Sequence, residues 1–214
     1  QYADAIIFTM EGGYDYIVEK GWDKDIPREK VHYINNGVDL ELFNYNRDHF
    51  QIEDADLEDS ETFKVVYTGS IRRVNNIGLL LDAAKNITDP RVKFLIWGAG
   101  DELELLQKRI GAEGINNVVF KGHVEKKFVP YIVSSADLNI AHNTPSPLFR
   151  FGISFNKLFD YLAAKKPILS DFPCKCSAIL HQKQVRLRDT LQPRAEFHQE
   201  YPLSFRQYYL QPIR

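Results

Sequence analysis

The feature that most constrains this chain is an alternation of short β-rich runs with amphipathic helical stretches, which extends from Phe63 to Ser170. Such an alternation predicts parallel strands joined by helices that cover the sheet. The predicted strands are Phe63–Thr68, Val92–Trp97, Val118–Lys121, Leu138–Ala141 and Pro167–Ser170. The fold class we predict is therefore α/β, with a doubly wound, Rossmann-like parallel sheet.

Between the predicted strands, apolar residues recur at helical spacing, so each helix presents one stripe for the sheet to bury. The stripes are Ile77, Leu80, Leu81 and Ala84; Leu103, Leu106 and Ile110; Phe128, Tyr131, Ile132 and Ser135; and Phe155, Leu158, Phe159 and Leu162. A capping box of Asp101 with Glu104, and Ser154 before the last stripe, predict two helix starts.

The residues before this alternation have a different pattern. We predict a strand at Ala5–Thr9, a helix at Tyr14–Lys20, and a strand at Val31–Ile34 that leads into an Asn-Asn-Gly turn. The acidic stretch 48–62 reads as a solvated connection. The predicted domains are therefore 1–47, the connection 48–62, and an incomplete Rossmann-like domain at 63–173.

Residues 174–214 form an atypical tail, because all 12 glycines lie at or before Gly152 and the tail carries seven Lys or Arg against three Asp or Glu. A basic arm for membranes or nucleic acid is one interpretation. A non-native or poorly ordered end, from a change of reading frame or a divergent terminus, is the one we favour. Cys174 and Cys176 are too close for an ordinary disulfide and too few for a structural zinc site.

The composition is that of an ordinary globular protein, with 44% hydrophobic residues and a formal net charge of -2. This balance gives no reason to expect nucleic-acid binding. No apolar run approaches the roughly 20 residues that span a bilayer, and the first residues lack the basic start of a signal peptide. The expected compartment is the cytoplasm.

In a doubly wound sheet, ligands bind beyond the carboxyl ends of the strands, so the loops after each strand are the candidates for a site. The first loop brings together Gly69, Ser70, Arg72, Arg73 and Asn75 just before a helix. Guanidinium groups beside a helix N-terminus favour a phosphate or diphosphate. A surface loop with two solvated arginines is an equally good interpretation of this loop alone.

The second and third loops are less specific. Gly98-Ala99-Gly100 resembles part of a dinucleotide fingerprint, but it lacks the third glycine and follows the second strand, so a tight turn is favoured over a nicotinamide or flavin cofactor. Gly122, His123 and Val124 could face a flat base, although a plain turn explains them equally well.

The fourth loop, residues 142–153, leads into a helix that carries Asn156, Lys157 and Asp160. Asn156 and Asp160 are four residues apart and share a face. A carboxylate at Asp160 could accept ribose hydroxyls, and Lys157 in the first turn is understandable if an anion lies nearby. The alternative is an ordinary i, i+3 surface pair between Lys157 and Asp160.

Taken in order, five segments resemble the family 4 glycosyltransferases of the GT-B fold, in particular bacterial enzymes that build capsule, O-antigen or other surface polysaccharides. The segments are YINNGVDLELF, VVYTGSIRRVNNIGLLLDAAK, FLIWGAGDELELLQ, VVFKGHV and GISFNKLFDYLAAKKPILS. The resemblance implies a nucleoside-diphosphate sugar donor, UDP-linked by preference. It also implies transfer with retention of configuration and no tightly bound metal or other cofactor.

The same resemblance assigns Asp160 to the second acid of a Glu-x7-Glu motif, which contacts the ribose, and Gly152 to the first acid, which lies near the donor sugar. The family's diphosphate-binding Arg and Lys align with Ser70 and Asn75, so Arg72, Arg73 and Lys157 are the cations that could replace them. Gly122 to Val124 would face the base. Lys165 stands where the family has a helix-ending glycine.

The resemblance also implies partners. A saccharide or lipid-linked acceptor would bind to an N-terminal domain of which only Ala3–Lys20 is represented, so we expect the 214-residue chain to be inactive in transfer. Peripheral association of the full-length enzyme with the inner face of a membrane is a further implication. The alternatives are a non-catalytic nucleotide-sugar-binding module and a sugar-nucleotide epimerase of similar architecture.

Overall fold

The computed structural model describes residues 3–170. The predicted tail at 174–214, with Cys174 and Cys176, lies outside the described residues. The strands are β1 (Ile6–Phe8), β2 (Val31–Tyr33), β3 (Phe63–Thr68), β4 (Val92–Trp97), β5 (Val118–Gly122), β6 (Leu138–Ala141) and β7 (Ile168–Ser170). The helices are α1 (Gly13–Glu19), α2 (Leu40–His49), α3 (Ala55–Glu58), α4 (Ile77–Lys85), α5 (Leu103–Glu113), α6 (Val129–Ser135) and α7 (Asn156–Ala164).

The central sheet contains β3 to β7, all parallel, in the spatial order β5-β4-β3-β6-β7. The predicted α/β fold with a Rossmann-like parallel sheet is confirmed. The chain winds outward from β3 to one edge and then returns to add β6 and β7 on the other side. The order therefore reverses between β3 and β6, and a crevice at the carboxyl ends of these two strands is where such sheets bind ligands.

Helices cover both faces of this sheet because successive strand residues point to opposite sides. One face packs on α4 and α5 and buries Val65, Tyr67, Phe94 and Ile96 together with the stripe Ile77, Leu80, Leu81 and Ala84. The other face packs on α6 through Val66, Leu95 and Ile132. Beside α6, α7 and α2 share a cluster that includes Phe43, Val133, Leu158 and Tyr161.

The first part of the chain forms a small parallel pair, β1 with β2, followed by α2. Phe43 of α2 is buried in the same cluster as Tyr161 of α7. Arg150 donates to both carboxylate oxygens of Glu19 on α1 at 2.5 and 2.6 Å. These residues therefore pack against the central sheet and its loops. The division into domains at residue 48 stays a prediction.

The acidic stretch differs from the solvated connection that its composition predicts. Asp54 caps α3 by accepting from the backbone N–H of Asp56 and Leu57, and Leu57 is buried against the sheet. Lys121 at the end of β5 donates to both Asp54 and Asp56, at 2.8 and 2.6 Å. The acidic side chains fasten the stretch to the sheet because a lysine stands opposite them.

Two predicted helix starts are wrong in detail. Glu102, and not Asp101, precedes α5, and no side chain caps it. Ser154 does not cap α7 either, since α7 begins after Phe155. At the other end of α7, Lys165 adopts a left-handed conformation with φ +56°, the conformation that a glycine would favour there. Within residues 3–170, no helix is long and apolar enough to cross a membrane.

Candidate functional site

The pairing of β3 with β6 ends before the carboxyl end of β3. Their register pairs Val65 with Leu138 and Val66 with Asn139, so Thr68 lies beyond the paired segment. The backbone N–H of Thr68 therefore has no strand partner on this side. It donates instead to the hydroxyl of Tyr161 on α7 at 2.9 Å. Burial raises the pKa of Tyr161 to about 12, so this hydroxyl keeps its proton. The start of the first loop is thereby attached to α7.

The first loop runs from Gly69 through the 3-10 turn Arg73–Asn75. Asn75 is buried and accepts from the Ser70 hydroxyl at 3.2 Å, which folds the loop on itself. Arg72 and Arg73 are exposed, and their guanidinium groups make no hydrogen bond or ion pair with residues 3–170. The sequence thus predicts the cations of this loop, and the structure leaves both available to an anion.

Lys157 extends from the first turn of α7 toward this loop. Its ammonium donates to the Tyr67 hydroxyl at 2.7 Å and lies 4.0 Å from the centre of the Tyr67 ring. Tyr67 in turn donates to the Ser70 carbonyl at 2.9 Å. Gly69 has φ +145°, a conformation that residues with a side chain rarely adopt, and a Cβ there would stand 2.9 Å from the Lys157 ammonium, which would have to shift.

The electrostatics of Lys157 follow from this burial. No carboxylate among residues 3–170 forms an ion pair with it, and burial lowers the pKa of Lys157 to about 8. Burial disfavours the charged form unless an opposite charge compensates it. A bound anion beside Gly69 would supply that compensation, and it would meet a cation that the fold already holds in place.

The glycines of the second loop serve packing. A Cβ on Gly98 would overlap the Gly69 carbonyl, and a Cβ on Gly100 would overlap the Ile71 carbonyl. Backbone hydrogen bonds join the same segments, from Gly69 to Trp97 at 3.0 Å and from Ile71 to Ala99 at 2.9 Å. The favoured interpretation as a tight turn fits this geometry, since the glycines let two loops touch.

The third loop follows β5. Gly122 has φ +79°, and its carbonyl accepts from the Gly98 N–H at 2.8 Å, so this loop is joined to the second one. His123 is exposed, whereas Val124 packs against the cluster that contains Trp97. An exposed backbone turn with an apolar residue behind it is compatible with a flat base, and the contact to a base stays a prediction.

Asp160 is more enclosed than its sequence pattern predicts. Its side chain is only 8% exposed, and its Oδ2 accepts from the ammonium of Lys126 at 2.7 Å. The alternative of a surface pair between Lys157 and Asp160 is wrong, because Lys157 turns to Tyr67 instead. The predicted stripe of α7 contains Phe159, but Phe159 is only half-buried and Tyr161 is fully buried instead. The buried face of the helix is therefore shifted toward Tyr161, and the neighbouring Asp160 is enclosed with it.

Asn156 begins α7 and is exposed, but its side chain has a partner. Its Oδ1 accepts from Asn36 at 2.9 Å, and Asn36 also donates to the Ser154 carbonyl at 3.1 Å. The Ser154 hydroxyl donates to Asn35 at 2.7 Å. The segment with Asn35 and Asn36, where the sequence predicts a turn and the structure shows extended chain without a regular turn, therefore holds the start of α7 and engages the Asn156 side chain.

The fourth loop is joined to the first by groups that sequence reasoning missed. His142, buried after β6, contacts the Asn76 carbonyl through its Nε2 at 3.0 Å. The backbone N–H of Thr144 donates to the Val74 carbonyl at 2.8 Å, and its hydroxyl donates to the Arg73 carbonyl at 3.2 Å. Neither these contacts nor the pairing of Lys126 with Asp160 has a local sequence signal, because each joins residues far apart in the chain.

The site combines three cations near the carboxyl end of β3, Arg72, Arg73 and Lys157, with the enclosed carboxylate of Asp160 on α7. Cations there could neutralise phosphate, and Asp160 could accept hydroxyl donors. Within the described residues 3–170, no three His, Cys, Asp or Glu side chains are grouped so that they could hold a metal ion.

Comparison with known proteins gives a family match over the central sheet. Residues 48–170 match the family model described as Glycosyl transferases group 1. A relative in Bacillus subtilis (strain 168), TuaH, is named as a teichuronic acid biosynthesis glycosyltransferase. It is 31% identical over 179 residues, which cover 79% of this chain and 40% of TuaH. The chain thus spans less than half the length of this curated relative.

Solved structures share the fold. Anabaena Alr3699/HepE in complex with UDP-glucose matches with a TM-score of 0.62 and 15% identity, over 97% of this chain and 62% of that one. Sucrose-phosphate synthase from Thermosynechococcus elongatus matches with a TM-score of 0.60 and 19% identity, over 78% of this chain and 40% of that one. At these identities the likeness concerns the fold alone.

Proposed function

The chain belongs to the group 1 glycosyl transferases, and from this premise we propose that it binds a nucleoside-diphosphate sugar in the crevice between β3 and β6. UDP is the nucleotide we propose, since the fold of HepE is known with UDP-glucose bound. The proposed contacts come from the first loop, the third loop and α7. They are Gly69, Ser70, Arg72, Arg73, Asn75, Gly122, His123, Val124, Asn156, Lys157 and Asp160.

The observation that carries this proposal is the placement of Lys157. Its ammonium is largely buried, without a carboxylate partner in the described chain, and lies against Gly69 at the reversal point of the sheet. Folding a cation into such a place is unfavourable unless a ligand uses it. Arg72 and Arg73 lie in the loop that begins with Gly69. A diphosphate is a ligand that could contact these two arginines and Lys157 together.

The chemistry proposed for these cations is stabilisation of the leaving diphosphate. When the bond between sugar and phosphate breaks, negative charge develops on the diphosphate oxygens. Cations that are already oriented stabilise that charge without reorganising. The first turn of α4 follows the same loop, and the side chain of Asn76 does not cap it, so its N–H groups could add to this field.

The direct test compares UDP with UMP by calorimetry or ligand-observed NMR on the 214-residue chain. Because the β-phosphate adds charge next to Lys157 and Arg72, UDP should bind more tightly than UMP by about 1–3 kcal/mol. Absence of UDP binding at about millimolar concentration, the weak end of ordinary affinities, would refute the proposal.

Asp160 is proposed to accept ribose hydroxyls. Asp160→Asn keeps the shape and removes the charge, so it should weaken UDP binding by about 1–3 kcal/mol. The free energy of unfolding should change by less than about 1 kcal/mol, because the partner Lys126 is exposed. Glu104→Gln on α5 is the control for the loss of one negative charge, since Glu104 pairs with Lys108 on the exposed side of α5, and it should leave UDP affinity unchanged. Equal affinity of wild type and Asp160→Asn would exclude Asp160 from the site.

For the longer protein to which such a domain belongs, we propose retaining transfer to a saccharide or lipid-linked acceptor in surface-polysaccharide synthesis, as a family 4 enzyme. The name of TuaH, a teichuronic acid biosynthesis glycosyltransferase, supports the part of this proposal that concerns polysaccharide synthesis. A lipid-linked acceptor would be met at the inner face of a membrane, by peripheral association. The 214-residue chain itself should not transfer sugar, and turnover with any acceptor would contradict that expectation.

A binding module without transfer activity is a second candidate, favoured by Gly152. This glycine stands where the resemblance places the acid near the donor sugar, and its φ of +114° is one that side-chain-bearing residues rarely adopt. An acid could not replace it without strain. Release of free sugar from UDP-glucose by the longer protein would exclude this second candidate.

A further inference from the structure

The ion pair between Lys126 and Asp160 joins two parts of the proposed nucleotide site. Lys126 lies in the 3-10 turn Lys126–Phe128, directly after the third loop. Its ammonium reaches Asp160 Oδ2 at 2.7 Å across 34 residues of sequence. No family motif named above includes Lys126, and the proposed function gives it no role.

The two partners differ greatly in freedom. The Asp160 side chain is 8% exposed and is fixed on α7 between buried neighbours, whereas the Lys126 side chain is 74% exposed. The carboxylate therefore stays in place, and the long lysine side chain can leave it. A ribose hydroxyl that replaces the lysine would give the enclosed carboxylate another hydrogen-bond donor, so the exchange leaves no buried charge without a partner.

We propose that Lys126 occupies the ribose position of Asp160 in the free protein and is displaced when a nucleotide binds. The inference rests on the proposed function, in which ribose hydroxyls donate to Asp160. Both the ammonium and a hydroxyl are hydrogen-bond donors, and both seek the same carboxylate oxygens. Lys126 thus competes with the ribose and sets how strongly its hydroxyls contribute to affinity.

The adjacent Lys127 offers a matched control. It pairs with Glu125 at 3.0 Å and lies over the rings of Phe50 and Phe128, and among the described residues the ion-pair partner of Asp160 is Lys126 instead. A general loss of positive charge near the nucleotide affects Lys126→Ala and Lys127→Ala alike. Competition for Asp160 affects only the first.

The experiment measures the ratio of dissociation constants for 2′,3′-dideoxy-UDP and UDP in each protein. This ratio isolates the contribution of the ribose hydroxyls, because both ligands carry the same base and diphosphate. In Lys126→Ala the ratio should rise by about two- to fivefold, the change that corresponds to a weak exposed ion pair. In Lys127→Ala and in Lys126→Arg, which keeps the pair, it should equal that of the wild type.

The outcomes separate this inference from the proposed function. A wild-type ratio of one would show that the ribose hydroxyls contribute nothing to affinity. That result would exclude the proposed contact between the ribose and Asp160, and it would exclude this inference as well. A wild-type ratio well above one that stays unchanged or falls in Lys126→Ala would overturn the inference alone. A rise in Lys127→Ala equal to that in Lys126→Ala would also overturn it. Circular dichroism and thermal unfolding of each variant establish that the ratio is measured on folded protein.

Discussion

The loops after β3 and β4 are neighbours that each begin with a glycine, and they differ in what surrounds them. Gly98 and Gly100 in the β4 loop lack side chains because the backbone of the β3 loop passes there. The β3 loop instead carries Arg72 and Arg73 on its exposed side and receives Lys157 from α7. A glycine-rich segment after a strand can therefore be the support of a site, while the cations that would bind the ligand belong to the loop it supports.

The largest effect expected from this comparison is on folding. Gly98→Ala places a Cβ into the Gly69 carbonyl at a φ of +154°, so the free energy of unfolding should fall by about 3–5 kcal/mol. Gly111→Ala on α5 is the control, because nothing lies within 4 Å of its added Cβ, and it should stabilise by about 0.5–1 kcal/mol. Urea unfolding measures both. A loss below about 1 kcal/mol in Gly98→Ala would show that the β4 loop does not need this close contact.

The next effect is on binding and comes from α7. Lys157→Met keeps the bulk and removes the charge, so UDP affinity should fall by about 2 kcal/mol. The same change removes a poorly solvated cation, so the protein should be no less stable than the wild type. Calorimetry and thermal unfolding measure the two quantities. Lys108→Met on the outer side of α5 should leave UDP affinity unchanged, and an equal loss in the two variants would attribute the effect to net charge.

A smaller effect should follow pH. Burial lowers the pKa of Lys157 to about 8, so the free protein loses this charge as the pH rises through that value. The terminal phosphate of UDP, with a second pKa of about 6, is already about nine-tenths ionised at pH 7, so its own titration adds little above that pH. UDP affinity should therefore fall by about tenfold between pH 7 and pH 9, following the protonated fraction. Lys157→Met should lack this dependence, and a flat wild-type profile would contradict the assignment of Lys157 to the diphosphate.

The smallest effect contrasts the two loops directly. Arg72→Ala should weaken UDP binding by about 1 kcal/mol, since an exposed guanidinium makes a screened contact. Asp101→Ala in the β4 loop should change UDP affinity by less than about 0.5 kcal/mol. Titrations at low and high salt measure both, and the effect of Arg72→Ala should shrink at high salt. If the two variants lost affinity equally, the comparison between the loops would fail.

The strands were predictable because their apolar runs are continuous and end at glycine or polar residues. β3, β4 and β6 have the predicted bounds, and Ile77 to Ala84 form the predicted stripe. The start of α5 was not predictable in the same way, because the backbone N–H of Glu102 donates to the Ile71 carbonyl, which belongs to another loop. A capping pattern in the sequence carries no information about such a distant acceptor.

The candidate site divides in the same way. The cations of the β3 loop and the carboxylate of α7 could be named as candidates because they follow a strand or lie on a helical face, and their binding roles stay predictions. The burial of Tyr161 could not be predicted, since a tyrosine reads as a surface residue until Thr68 provides a partner for its hydroxyl. The partners of Lys157 and Asp160 lie 90 and 34 residues away. Contacts between residues so far apart depend on the spatial order of the strands. The alternation of strands and helices in the sequence does not determine that order.

The position of Phe43 has a consequence for anyone who dissects this protein for expression. The family match begins at residue 48, but Phe43 of α2 fills a cluster beneath α6 and α7. A domain cut at residue 48 would lose that side chain and expose apolar surface of Val133 and Tyr161 to solvent. The smallest piece with an intact core should therefore start upstream of Val38, which packs in the same cluster. We expect a piece that starts at residue 48 to be less stable than one that starts upstream of Val38, because only the longer piece keeps Phe43 in its cluster.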